Sequence, residues 1–369
     1  MRTSYLKPIL EKAGAVFEER CGTEVVSHFS DIATENSTVR NVVGLTDFSF
    51  LQMYRMPEET AIEFLDGVLA GNVASTRFGR ITHTFLADDD GNILSDCYVA
   101  NNDEEFLLLC ESVIDTDEVD RILDACGAQD AGVERLHDSH VLLGLDGFDA
   151  WKVVRDAFGS DVLGLPYLSV EIYPFEGEDI LLMRAGKTSE FGYLVMAPTR
   201  VAAELYTKLQ EAVKVLGGGP CGVAVHDGLR LEGRFFNIFK EGVAVRDPLV
   251  LGLQWMIDFD KESFHGGAAI ATRRAEGVKQ KIVGVAAAAD CESLVPGAMI
   301  YHAGQPVAEV VASCHSYVLD QKLALAVFPF ELAYSGVPFT LGAAEGPSVR
   351  TISMPPILPK SLTLRLDEV

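Results

Sequence analysis

Apolar residues recur along the chain at two periods. Two β-prone runs, Ile81 to Ala87 and Ile93 to Val99, flank Asp88-Asp89-Asp90-Gly91-Asn92. An Asp-Gly turn between such runs predicts a hairpin. The second run alternates, with Ile93, Ser95, Cys97 and Val99 on one face and Leu94, Asp96 and Tyr98 on the other. Asp96 is therefore a carboxylate among large neighbours. Either it sits at a sheet edge facing water, or it is hydrogen-bonded, paired or used. Helical spacing marks residues 57–70, where Ile62, Leu65 and Leu69 share a face. The same reasoning predicts helices over 4–21, 116–125, 147–158 and 200–216, with a polar loop from 22 to 40. Strands are predicted at 45–54, 105–109, 141–144, 168–173 and 180–184. Three more, at 281–287, 306–313 and 323–328, follow the last helix.

Composition narrows the functional classes. A chain of 369 residues suits two or three domains. With 48% hydrophobic and 23% charged residues it has the balance of a globular protein. No apolar run approaches the roughly 20 residues of a membrane span, and Met1 to Pro8 lacks an apolar signal core. A cytoplasmic protein with no membrane partner is expected. The net charge of −24 argues against a nucleic-acid partner, which requires clustered Lys and Arg. The seven cysteines are scattered and none forms Cys-x-x-Cys, so reduced core thiols are expected, without a disulfide frame or zinc site. His137-Asp-Ser-His140 offers two imidazoles without a third ligand and reads as a polar loop. No phosphate-binding glycine loop or His-Glu-x-x-His is present.

Five motifs, in order, resemble the tetrahydrofolate-dependent aminomethyltransferase family, whose best-known member is the T protein of the glycine cleavage system. Arg40, Gly44, Leu45, Asp47 and Ser49 fit Arg-x-x-(Ala/Val)-Gly-Leu-Phe-Asp-Val-Ser-His, with Phe50 in place of His. The hairpin fits Gly-Lys-x-x-Tyr-x-x-Leu, a turn, then Gly-Gly-Ile-x-Asp-Asp. Asp96 stands at the second Asp, Ser95 at the first and His83 at the Tyr. Arg184, Gly186, Thr188, Glu190, Gly192 and Tyr193 fit Arg-x-Gly-Tyr-Thr-Gly-Glu-x-Gly-(Tyr/Phe)-Glu, with Lys187 replacing Tyr and Ser189 replacing Gly. Residues 221–232 fit Gly-x-x-Ala-Arg-Asp-(Thr/Ser)-Leu-Arg-Leu-Glu, with His226 at the first Arg. Residues 247–255 fit Pro-Leu-Glu-x-Gly-Leu-x-Trp, with Val250 for Glu, and the likeness runs over about residues 38–345. The Lys-Gly-Cys-x-x-Gly-Gln-Glu motif of the iron–sulfur-assembly branch is absent.

The resemblance implies an α+β fold: a three-domain cloverleaf around a central folate channel, closing with a C-terminal β-barrel. The implied division is residues 1–52, 138–156 and 200–252 for one folate-binding domain, 53–137 and 157–199 for the second, and 253–369 for the barrel. It implies tetrahydrofolate as cofactor, Asp96 as the catalytic carboxylate near the reacting folate nitrogen, and Glu190 as the acceptor of the pterin N–H groups. His83 is a candidate to protonate a leaving group. His226, where the family Arg contacts folate, is a further candidate contact, and Tyr98 and Trp255 could stack on ligand. Arg230 reads as structural, pairing with Asp227 or Glu232. Two donors compete. One is a small methylated compound, making the protein a demethylase. The other is the aminomethyl group on an acidic lipoyl carrier protein. The altered central residues and the net charge favour the small-molecule methyl donor. A non-catalytic folate-binding protein is the third reading, and the presence of both Asp96 and Glu190 counts against it.

Overall fold

The computed structural model describes residues 2–102, 104–112 and 116–366. The N-terminus departs from the helix predicted over 4–21. A short helix, Lys7–Lys12, gives way to a hairpin of Val16–Arg20 and Thr23–His28. Gly14, at φ 91°, follows the helix. Cys21 and Gly22, at φ 48° and 77°, form a two-residue turn of the kind whose twist suits a hairpin. The polar stretch beyond it is a helix, Ile32–Asn41, not a loop. Asp31 caps it by accepting from Thr34 N. Its Glu35 is buried because the carboxylate accepts the backbone N–H groups of Phe29, Ser30 and Gly222. The strand expected over 45–54 is split into Gly44–Asp47 and Gln52–Pro57 by a turn at Phe48 to Leu51.

Eleven strands form one sheet. Their order is Gly219–Pro220, Gly44–Asp47, His140–Asp146, Gly192–Pro198, Glu178–Arg184, Ser169–Phe175, Arg80–Ala87, Ile93–Asn101, Glu105–Ser112, Gln52–Pro57 and Glu134–Arg135. The expected hairpin is present, with Phe85 opposite Asp96 and a bulge at Leu86/Ala87. Ile93–Asn101 is an inner strand, so the edge position open to Asp96 in the sequence is excluded. The alternation along this strand is real. Cys97 and Val99 pack with Phe64, Leu65 and Val68 of the helix Glu58–Val68, while Tyr98 and Ala100 face a second cluster with Leu51 and Met183. The strands of Asp96 and Asp146 lie five steps apart, roughly 24 Å in a flat sheet. Both carboxylates line one cavity, so the sheet curls around it.

The chain closes with the expected barrel. Six strands, Gln280–Ala288, Gln321–Pro329, Gln305–Ser316, Met299–His302, Pro338–Leu341 and Ser348–Ile352, close on themselves in that order. Their core holds Val285, Ile300, Val310, Phe328 and Phe339. The helix Val223–Gly233 packs on the barrel strands Gln305–Ser316 and Gln321–Pro329, and its His226 and Arg230 reach Thr46 and Glu111 of the large sheet. Residues 226 and 230, four apart, share a face of it, and that face looks into the cavity. Among the described residues no helix is long and apolar enough to cross a membrane.

Candidate active site

Asp96 is 1% exposed and sits at the floor of the cavity. Its Oδ1 lies 2.6 Å from His83 Nε2, and its Oδ2 accepts from Lys187 Nζ at 2.6 Å. Lys187 also donates to Glu111 Oε2 at 2.8 Å. Glu111 faces Asp96 across the next strand pair. Two carboxylates so placed repel one another unless cations stand between them. Lys187 is one such cation. Arg230 is the other, gripping Glu111 with both guanidinium nitrogens and standing 3.7 Å from Asp96. Arg230 therefore pairs with Glu111, not with the Asp227 or Glu232 of its own helix. Asp227 is taken by Arg20, Lys240 and Asn237, and Glu232 by Arg40 and Ser316.

Burial pushes the Asp96 carboxyl up, but the Lys187 ammonium, His83 and Arg230 outweigh it and hold it below the usual carboxylate range. Burial likewise opposes ionisation of Glu111, and Arg230 and Lys187 again prevail. Both acids are ionised at neutral pH. An ionised carboxylate only accepts, so His83 Nε2 carries the proton in its bond to Asp96.

Tyr98 lies beneath this cluster, 5.0 Å from the Lys187 ammonium and 4.6 Å from the His83 ring. Trp255 is 65% exposed and meets His83 edge-on at 5.4 Å. His226 is buried, with Nε2 2.9 Å from Thr46 Oγ1 and Phe48 against its ring. The sequence-derived candidates thus converge, with one exception. Glu190 lies in a separate cluster. Its carboxylate accepts from Ser361 N at 3.1 Å and stands 3.5 Å from Arg40. It borders a different groove, formed with Asn41, Tyr317 and Leu358.

Two spaces meet at this cluster. The inner cavity is narrow and opens to solvent. Phe48, Leu51, Tyr98, Leu109 and Leu194 make it apolar, and Asp96, Glu111, Asp146, Lys187, His226 and Arg230 supply polar groups. A wider cleft of about 1140 Å³ lies on the far side of His83, between the barrel strand Gln280–Ala288 and the Trp255 turn. Asp96 lines the first space and His83 the second.

Two buried groups give opposite pH dependences. Burial, helped by Arg230, lowers His226 to about 4. The unfolded chain takes up that proton near 6.5, so this ring costs stability as pH falls from about 6.5 to 4. Burial raises Asp146 to about 7. The unfolded carboxyl ionises near 3.9, so this group costs stability as pH rises from about 4 to 7. Asp146→Asn removes the second effect. Its stability relative to the parent should grow with pH, reaching roughly 4 kcal/mol by pH 7. Urea denaturation between pH 4 and 7.5 measures this, and a difference independent of pH would contradict it.

The model of the GCVT N-terminal domain family matches residues 6–261. The chain belongs to this family. It is 30% identical over 287 residues to the aminomethyltransferase of Halothermothrix orenii, covering 77% of this chain and 80% of that one. To the Bacillus subtilis aminomethyltransferase it is 26% identical over 322 residues, covering 85% and 87%. The crystal structure of glycine cleavage system aminomethyltransferase T from Bartonella henselae aligns with a TM-score of 0.83 at 22% identity, over 97% and 98% of the two chains, and shares the fold. The motifs therefore pointed to the right family, and this GCVT protein is by class a tetrahydrofolate-dependent transferase.

Proposed function

We propose that the protein transfers the carbon of an aminomethyl group, carried on a lipoyl carrier protein, to two nitrogens of tetrahydrofolate as a methylene bridge, with the carrier's thiol and ammonia leaving and taking up the two displaced N–H protons. The observation that carries this reading is the His83–Asp96 hydrogen bond, which joins a buried cavity to an outer cleft. A flat, N–H-rich ring suits the cavity: apolar faces from Phe48, Leu51 and Leu194, carboxylates for its donors, and Lys187 and Arg230 for its carbonyl. When bound, tetrahydrofolate supplies the nucleophilic nitrogen that receives the carbon. The donor enters through the cleft beside Trp255 and Lys281.

In this reading Asp96 is the catalytic carboxylate. It stabilises positive charge developing at the folate nitrogen and accepts its proton. Both its oxygens are already engaged, yet a carboxylate has about four lone-pair sites, so acceptor capacity remains. His83 donates to Asp96 and fixes its orientation, while Tyr98 and Trp255 screen the junction from water. The relatives are named aminomethyltransferases, which supports the carrier-borne donor above the small methylated compound favoured by the altered central residues and the net charge. The methyl-donor reading keeps one specific support, the Lys187 ammonium against Asp96 where the family pattern has Tyr.

Tetrahydrofolate at millimolar concentration should raise the melting temperature by several degrees, because a ligand that binds only the folded chain stabilises it by about 2.7 kcal/mol at 100 times its Kd. Absence of any shift would contradict the folate assignment of the cavity.

A further inference from the structure

We propose that Asp146 is the acceptor for the paired N–H groups of the folate's pterin ring, the role that the motif assigns to Glu190. The inference rests on the reading that the cavity takes folate, and concerns how this chain holds it.

Asp146 ends the strand His140–Asp146 and is 3% exposed. Its strand neighbours in register are Gly44 on one side and Gly192 on the other. A Cβ at Gly186 would stand 2.9 Å from Asp146 Oδ1, and one at Gly192 3.1 Å. Glycines thus make the room that the carboxylate occupies. Among the described residues it accepts one hydrogen bond, from Thr188 Oγ1 to Oδ1 at 3.2 Å. A buried carboxyl with a single long hydrogen bond is costly, and the cost is met when a ligand supplies the missing donors.

The other acids are committed. Asp96 is held by His83 and Lys187, and Glu111 by Lys187 and Arg230. Glu190 accepts from Ser361 N and lies against Arg40, outside the cavity lining. The family pattern closes on a Glu where this chain has Leu194, an apolar wall of the same cavity. Among the described residues Asp146 is the cavity acid with no cation paired to it. The pterin edge presents its 2-amino group and the adjacent ring N–H side by side, and a carboxylate offers two parallel acceptors to such a pair. Because burial holds the Asp146 carboxyl up at about 7, binding in this mode releases a proton at lower pH, and affinity rises with pH up to about 7.

The test measures binding of 5-formyltetrahydrofolate and of its analogue lacking the 2-amino group to the full chain by calorimetry. The parent should prefer the amino compound by about tenfold or more, the scale of one charged hydrogen bond. Asp146→Asn should weaken the amino compound by about 10- to 100-fold, leave the analogue within a few-fold, and so erase the preference. Glu190→Gln should retain it. The Asn variant removes a buried titrating group without changing its shape, so it should fold. A preference kept in Asp146→Asn, or lost in Glu190→Gln, would overturn the assignment while leaving folate binding intact. A parent that binds neither compound would overturn the folate reading itself, and this inference with it.

Discussion

Asp96→Asn is expected to lower turnover about 10²-fold or more, the scale of a lost acid–base or electrostatic contribution. The affinity for tetrahydrofolate should change little, because the charge acts chiefly on the reacting state. The variant also unbalances the cluster. Asp96 and Glu111 offset Lys187 and Arg230, so losing one carboxylate leaves a buried cation uncompensated. Breaking a buried pair in this way costs about 3–5 kcal/mol. Both acids are held below the usual carboxylate range, so the stability they contribute is present above about pH 4 and is lost as pH falls further. Activity and stability are separated by a second variant, Asp96→Asn with Lys187→Met, which restores neutrality. It should regain most of the lost stability and none of the lost turnover. Near-parental turnover in either variant would leave Asp96 as one arm of a structural ion cluster. Denaturation curves beside single-turnover kinetics distinguish the two.

The reach of the sequence followed how local the signals are. The Asp-Gly turn and the alternation at 93–99 gave the hairpin and the face of Asp96 because both are short-range patterns. Ordered motifs gave the family and the C-terminal barrel. The hairpin at 16–28 was hidden by a run of mixed residues without strict alternation, and the helix at 32–41 by its polar composition, of which Val39 is the buried apolar part. The charge cluster was less legible. Arg230 and Glu111 are 119 residues apart, and their contact depends on the curl of the sheet. Within its helix Arg230 has Asp227 and Glu232 as obvious partners, yet both are taken by Arg20 and Arg40 from distant segments. Lys187 was visible as a departure from the motif. Its role emerges only with Glu111, since two facing buried carboxylates call for cations between them. Nothing local marked Asp146, whose significance lies in the donors it does not have. Glu190 matched its motif, but the C-terminal turn at Ser361 folds back to occupy its carboxylate.

The largest effect is expected in the choice of donor. A net charge of −24 disfavours docking of an acidic carrier unless a local basic face offsets it. Lys281 borders the cleft beside His83, and Lys240 and Arg246 border a separate groove together with Glu18 and Glu19. The measurement that tests the account most directly supplies tetrahydrofolate with aminomethyl-loaded lipoyl carrier protein in one series. A second series supplies a panel of methyl ethers, sulfoniums and methylamines. Folate products and ammonia are followed in both. The account predicts methylenetetrahydrofolate and ammonia from the carrier, lost in Asp96→Asn, and no product from the small compounds. Methyltetrahydrofolate from one of the small compounds, with none of the carrier reaction, would contradict it.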